Sequence, residues 1–336
     1  MEIMSDMVQE DRQLPINADW LNQRLRDLPE AENLMEINTV FNPGGILTPS
    51  GKTVLILRFE TRRGSSGLVC VESEESRDWE VVPKSLHYAL PLVDEGLEDP
   101  RVIWFDELNR YFITYVVARQ TTKIAFIATD EFKVFERKGE ANFLDSFDNR
   151  NNKDACILPV SVLVDGEKRF GLIHRPDIDG KKDIWFSYST DEITNQNFTS
   201  WQKHRCIART RSGTFWDTSH IGLGPQPVEL PREITEGMPP GLLLLYHGVK
   251  ATGGGLIYRT GLMWFSLEDL TITHRSPCWI LGPAGSFSGE VVFPGAAFYD
   301  PRKHAIVVYY GKNDDGVYRC SLSPEKVISH LKRYPV

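Results

Sequence analysis

Long apolar runs are missing from this 336-residue chain. The longest candidate, Leu242–Tyr246, is strand-sized and far short of the roughly 20 residues that span a bilayer, so no membrane partner is expected. A basic excess is missing too: Lys plus Arg is 38 against 46 for Asp plus Glu, a formal net charge of −8. That balance disfavours general nucleic-acid binding, which needs a basic face against the phosphate backbone. Cysteine is scarce and scattered, at positions 70, 156, 206, 278 and 320, with no CxxC pair. Neither a zinc site nor a disulfide framework is indicated, and no metal is expected. The opening Met1–Asp6 is acidic and lacks the basic and apolar regions of a signal peptide. The expected compartment is the cytoplasm.

What is present describes a globular chain. Hydrophobic residues make up 41% and charged residues 25%, as in soluble folded domains. Length allows two domains, although large β architectures run longer as one unit. Ala18–Leu28 places Leu21, Leu25 and Leu28 at i, i+4 and i+7, the spacing of an amphipathic helix. Such a helix packs on its own domain or, alternatively, contacts a second subunit, which leaves a homo-oligomer open. From Asn38 onward the pattern turns to short segments rich in β-branched and aromatic residues, among them Thr53–Arg58, Lys123–Thr129, Ile184–Ser189 and Leu256–Phe265. Gly, Asp, Asn and Pro stand between them. The expected division is residues 1–38 as an N-terminal helical extension and 39–336 as a β-rich domain. A short helix, Ser323–Arg333, closes that domain. A loose repeat ends strands at acidic or aromatic corners, as in Thr129-Asp130-Glu131-Phe132 and Thr190-Asp191-Glu192. Its spacing suits five propeller blades of about 60 residues each, though a large sandwich has strands at similar density.

Candidate chemistry lies at strand ends. In Glu98-Asp99-Pro100-Arg101, the proline biases Asp99 toward an extended conformation. Neighbouring side chains would then point to opposite sides, so Glu98 and Asp99 should not share one job. Lys153, Arg175, His220 and His247 are basic groups embedded in apolar or proline-bearing stretches. Each could pair with a nearby carboxylate, Lys153 with Asp154 for example. An anionic ligand could instead satisfy several at once. Gly253-Gly254-Gly255 has no following Lys-Ser/Thr and reads as a turn rather than a P-loop. A double acid, Asp314-Asp315, follows Tyr309-Tyr310-Gly311.

Taken in order, these motifs form a series. Phe41-Asn42-Pro43-Gly44, Leu57-Arg58-Phe59-Glu60, Glu98-Asp99-Pro100-Arg101, Asn152-Lys153-Asp154 and His174-Arg175-Pro176 come first. Trp216-Asp217, Ile221-Gly222-Leu223-Gly224-Pro225, Tyr246-His247-Gly248-Val249, Tyr258-Arg259-Thr260-Gly261, Val291-Val292-Phe293-Pro294 and Tyr309-Tyr310-Gly311 follow. The ordered set resembles glycoside hydrolase family 130, the β-mannoside phosphorylases and related β-mannosidases.

The resemblance implies an all-β, five-bladed β-propeller with its site at the central cavity. It implies a glycoside phosphorylase: inverting transfer of a mannosyl unit from a β-mannoside to phosphate, releasing α-mannose 1-phosphate. The family's acid falls on Asp99, whose proton travels through the sugar's 3-hydroxyl. Its phosphate-binding groups fall on Lys153, Arg175, His220 and His247, with Asn42 beside them. Arg58, Glu98 and Asp314 are the expected contacts of the mannosyl unit. Expected partners are a small carbohydrate and inorganic phosphate as co-substrate, with no cofactor. The inventory is sensible: an inverting hydrolase needs an acid and a base, whereas phosphate arrives already anionic. Departures surround the acceptor side. Position 220 is His where many members carry Lys, Gly224-Pro225-Gln226-Pro227 replaces Gly-Pro-Pro-Pro, and Glu290 supplies an extra carboxylate. A β-mannosidase on the same scaffold, with Glu290 as base, and a non-catalytic glycan-binding propeller are the rival readings.

Overall fold

The computed structural model describes residues 7–11, 16–88, 96–144, 150–193, 198–283 and 291–336. Its strands assemble into five antiparallel sheets arranged as the blades of a ring, the expected five-bladed propeller. Blade I is built outward from Ile37–Leu47 through Thr53–Thr61 and Ser66–Ser73 to Glu80–Val81. Blade II runs from Gly96–Phe105 through Arg110–Ala118 and Lys123–Thr129 to Glu136–Glu140. Blade III runs from Asn152–Val164 through Glu167–Ile178 and Ile184–Ser189 to Ser200–Ala208. Blade IV runs from His220–Leu223 through Gly241–Thr252 and Gly255–Ser266 to Thr271–Arg275. Blade V runs from Val292–Asp300 through Ala305–Lys312 to Gly316–Leu322. The fourth strand of blade V comes from the other end of the chain: Val8–Glu10 pairs antiparallel with Gly316–Leu322, Val8 facing Leu322. The ring is thereby closed by backbone hydrogen bonds, and an ion pair between Asp11 and Arg319 lies beside the seam.

Apolar side chains fill the spaces between blades. Ile103, Phe112, Phe170, Trp201 and Phe265 belong to one cluster spanning blades II to IV, while Val54, Leu68, Val102 and Ile113 pack blade I on blade II. The triple glycine forms the turn of a blade IV hairpin, where Thr252 pairs with Gly255. Gly255 has φ +121°, a conformation that an L side chain resists. Two helices sit outside the ring. Helix α1 (Ala18–Leu25) is capped by Asn17, whose side chain accepts the Trp20 amide, and buries Leu21 and Leu25 against blades V and I. Its Asn22 exchanges two hydrogen bonds with the Ile37 backbone, fixing the start of blade I. Helix α2 (Pro324–Leu331) packs Val327, Ile328 and Leu331 against blades IV and V. Among the described residues no helix is long and apolar enough to cross a membrane.

Leu21 is fully buried, so Leu21→Ala should cost about 2–5 kcal/mol of unfolding free energy, the range for emptying a leucine site in a packed core. Urea denaturation measures it. A loss of under about 1 kcal/mol would mean that α1 is not part of the cooperative core.

Candidate active site

The innermost strands of blades I, II and III share one distortion. Each contains a bulge, between Phe41 and Gly44, between Glu98 and Arg101, and between Lys153 and Cys156. Each bulge begins with an Asx residue in the left-handed region: Asn42 at φ +43°, Asp99 at +47° and Asp154 at +49°. Asn and Asp tolerate this conformation better than other side chains. The extended geometry expected for Asp99 before Pro100 is therefore not what forms, because the bulge overrides the local proline preference. The expectation that the Glu98 and Asp99 side chains point to opposite sides fails with it. A single guanidinium, that of Arg58, donates from Nη2 to Glu98 Oε1 at 2.9 Å and from Nη1 to Asp99 Oδ1 at 2.8 Å.

Around Asp99 the contacts are dense. Asn42 Nδ2 donates to the same Oδ1 at 3.1 Å. Arg58 lies over the Phe41 ring, 4.4 Å from its centroid, which stiffens the fork. Lys153 Nζ reaches Glu98 Oε2 at 3.2 Å. Lys153 thus pairs across blades with Glu98 rather than with its chain neighbour Asp154.

Asp154 has a different task. Its carboxylate is buried among Arg175, whose Nε lies 2.5 Å from Oδ2 without hydrogen-bond alignment, His247 at 3.4 Å and Arg101 at 3.8 Å. Blade IV leaves room for it by having no side chain at Gly222, where a Cβ would stand 2.1 Å from Asp154 Oδ2. His247 packs on Phe293 at 4.8 Å between centroids, and His220 Nε2 stands 3.4 Å from the Tyr258 hydroxyl. Asp314 lies in the turn after Ala305–Lys312, within the electrostatic reach of Arg58 and Asp99. Asn42, Arg58, Glu98, Asp99 and Lys153 are thus in mutual contact, and Arg175 and His247 gather on Asp154. His220 joins them through Tyr258, whose hydroxyl feels Arg175, Asp154, Asp314 and Asp99. Glu290 lies outside the described residues.

Sequence reasoning passed over Asp154 and Arg101. Arg101 is fully buried and donates to the carbonyls of Asp99, Leu223 and Gly224. The signal for it was a guanidinium at the head of the apolar run Val102-Ile103-Trp104. The signal for Asp154 was the recurrence of an Asx at corresponding strand positions.

The charges are more balanced than four basic groups around an anion would suggest. Burial works to raise the Asp99 carboxyl, but Arg58, Arg101, Lys153 and the Asn42 hydrogen bond together hold it well below the usual carboxylate range. Asp154 is likewise lowered: burial opposes ionisation, and Arg175, His247 and Arg101 outweigh it. Burial pushes His247 down to about 3, against the pull of Asp154, and burial with Arg175 and Lys182 pushes His220 down to about 4. At neutral pH both imidazoles are uncharged. They offer ring nitrogens rather than positive charge, and His247 Nδ1 has no partner among the described residues. Asp314 is raised, mainly by burial and further by Asp99, with Arg58 opposing.

The neutral histidines set a pH dependence. An unfolded histidine takes up a proton near pH 6.5, whereas folded His247 resists down to about pH 3. The unfolded state binds more protons in that window, so stability is fully present above pH 6.5 and is lost as pH falls toward 3. His247→Gln should flatten the fall measured by urea denaturation between pH 6.5 and 4.5, by at most about 1.4 kcal/mol per pH unit. An unchanged slope in the variant would mean that His247 is not held neutral.

Comparison with known proteins follows this geometry. The family model described as beta-1,4-mannooligosaccharide phosphorylase matches residues 23–333. Among solved structures, a beta-1,2-mannobiose phosphorylase from Listeria innocua, in complex with beta-1,2-mannobiose, superposes with a TM-score of 0.74 at 20% identity, covering 97% of this chain and 99% of that one. A hypothetical protein from Leishmania major reaches 0.61 at 14% identity, covering 94% and 90%. A thermostable family-43 glycoside hydrolase reaches 0.51 at 16%, covering 86% and 90%. At these identities the structures attest the propeller alone. No curated protein matched the sequence significantly. The family match extends from α1 into α2 and takes in every blade, so the chain belongs to glycoside hydrolase family 130 and is a glycoside-processing enzyme.

Proposed function

We propose that the enzyme catalyses inverting phosphorolysis of a small β-mannoside. The observation that carries this reading is one clamped carboxyl, Asp99, close to a separate set of anion-binding groups. Arg58 and Asn42 fix Asp99, while Lys153 and Arg175 supply charge and His220 and His247 supply neutral donors. In the step proposed, a phosphate oxygen attacks the anomeric carbon from the face opposite the leaving group. The C1–O bond to the departing sugar breaks, and the leaving oxygen takes the proton of Asp99, relayed through the mannosyl 3-hydroxyl. Phosphate is already a nucleophile, so no protein base is required. Orientation and charge are what the protein adds.

Asp99 is ionised in the free enzyme and must carry a proton at the moment of transfer. Closing a sugar over it removes water, and a phosphate dianion nearby disfavours its charge. Both changes raise its affinity for a proton. Binding of the two substrates therefore loads the acid.

The Listeria neighbour, a mannobiose phosphorylase, and the description of the matching family support this reading at the level of substrate class. One observation favours hydrolysis as the second reading: both histidines are neutral and Asp154 already compensates Arg175, so the field for phosphate is weaker than four cations would give.

The test supplies mannobiose with and without inorganic phosphate. Mannose 1-phosphate formed only with phosphate is the expected result; free mannose in both tubes selects hydrolysis. Asp99→Asn should lower kcat by about 10²–10⁴-fold, the usual worth of a positioned acid, with the circular dichroism spectrum unchanged. Near-normal turnover in that variant would remove Asp99 from the role.

A further inference from the structure

Behind the cation pair, on the other face of the blade III hairpin, runs a buried chain of polar groups that the reaction does not use. Lys153 and Arg175 face each other across the hairpin. Successive residues of a strand alternate faces, so their neighbours Asn152 and His174 project away from the pair. Asn152 Nδ2 stands 2.9 Å from His174 Nδ1, His174 Nε2 stands 2.8 Å from Ser187 Oγ, Ser187 Oγ stands 2.7 Å from His204 Nδ1, and His204 Nε2 stands 2.8 Å from the Leu144 carbonyl. Asn152, His174 and Ser187 are buried. Phe143 stacks on His174 with ring centroids 4.8 Å apart.

With both imidazoles uncharged, the last link sets the direction of the others. A carbonyl oxygen only accepts, so His204 carries its hydrogen on Nε2. Its Nδ1 then accepts from the Ser187 hydroxyl. Ser187 Oγ in turn accepts from His174 Nε2–H, which leaves His174 Nδ1 as the acceptor for the Asn152 amide. Burial keeps His174 uncharged, as this arrangement needs.

The position of His174 gives the chain its use. Lys153 pairs with Arg175 and Cys156 pairs with Ile173, so His174 is the one residue opposite the two bulged residues Asp154 and Ala155. The backbone ladder is interrupted there, and the Asn152–His174 side-chain bond ties that residue diagonally past the Lys153–Arg175 pair to the opposite strand. We infer that His174, oriented by Ser187 and His204, is a positioning residue that holds Lys153 and Arg175 at the spacing required to bind phosphate. The inference rests on the phosphorolytic reading above.

Ser187→Ala removes the relay with little change of volume and leaves the site's own residues in place. Steady-state kinetics should show the KM for inorganic phosphate rising about ten-fold, as expected for one buried hydrogen bond lost from the supporting chain. The KM for mannobiose and kcat at saturating phosphate should move much less. Nitrogen-15 histidine spectra should show His174 as the Nε2–H tautomer in the wild type and a tautomer mixture in the variant. Equal increases in both KM values, or no change in either with the melting temperature retained, would overturn the inference while leaving phosphorolysis intact. A His174 carrying its proton on Nδ1 in the wild type would overturn it as well. Wild-type turnover that neither needs nor binds phosphate would instead overturn the phosphorolytic reading, and the inference with it.

Discussion

The buried guanidinium of Arg101 is the constraint on which the site depends. It comes from the innermost strand of blade II and donates to the backbone of Leu223 and Gly224 in blade IV, tying two non-adjacent blades across the channel. On its own blade it holds the Asp99 carbonyl, and so the left-handed peptide that aims the Asp99 carboxyl. A fully buried arginine is costly unless its donors are met. Here three carbonyls meet them, and Asp154 lies 3.8 Å away to balance the charge. Removing this side chain would leave Asp154 with less compensation and Asp99 with a looser backbone, so stability and site geometry are linked through one group.

A second consequence concerns charge. Arg58, Arg101, Lys153 and Arg175 are matched by Glu98, Asp99, Asp154 and Asp314, with both histidines neutral. A site so balanced cannot hold a dianion by field alone. It can bind one by directional hydrogen bonds from fixed donors, which makes orientation of the cation pair more important than its net charge. Dense side-chain bracing on blade III agrees with that need.

Much of the ring was readable in the sequence, for physical reasons. The strands found were those buried on both faces, such as Lys123–Thr129 and Ile184–Ser189, whose β-branched and aromatic residues leave little ambiguity. The strands passed over include solvent-edge ones such as Glu136–Glu140 and Ser200–Ala208, where exposed charge hides the pattern, and the inner strands Ile37–Leu47 and His220–Leu223, which glycine or proline interrupts. The ordered motifs led to Asp99 and its neighbours because they lie in consecutive inner strands. Asp154 was passed over because its partners Arg101, Arg175 and His247 come from three different blades. A pairing of that kind is set by the closure of the ring and leaves no local spacing in the chain. The bulges were hidden for a related reason: the proline after Asp99 speaks for an extended residue, and only the packed strand reverses it.

The seam of blade V bears on how the molecule is made. Val8–Glu10 leaves the ribosome well before its partner Gly316–Leu322. Until that partner is made the early strand has no ladder to join, and blades I to IV must stand as an open arc with blade I's inner strand uncovered on one side. Closing a loop of this span is an entropic cost met in a single late event. Nascent chains stalled before residue 316 should therefore hold native blade cores without a native ring. Completion of the catalytic channel therefore waits for the strand Gly316–Leu322.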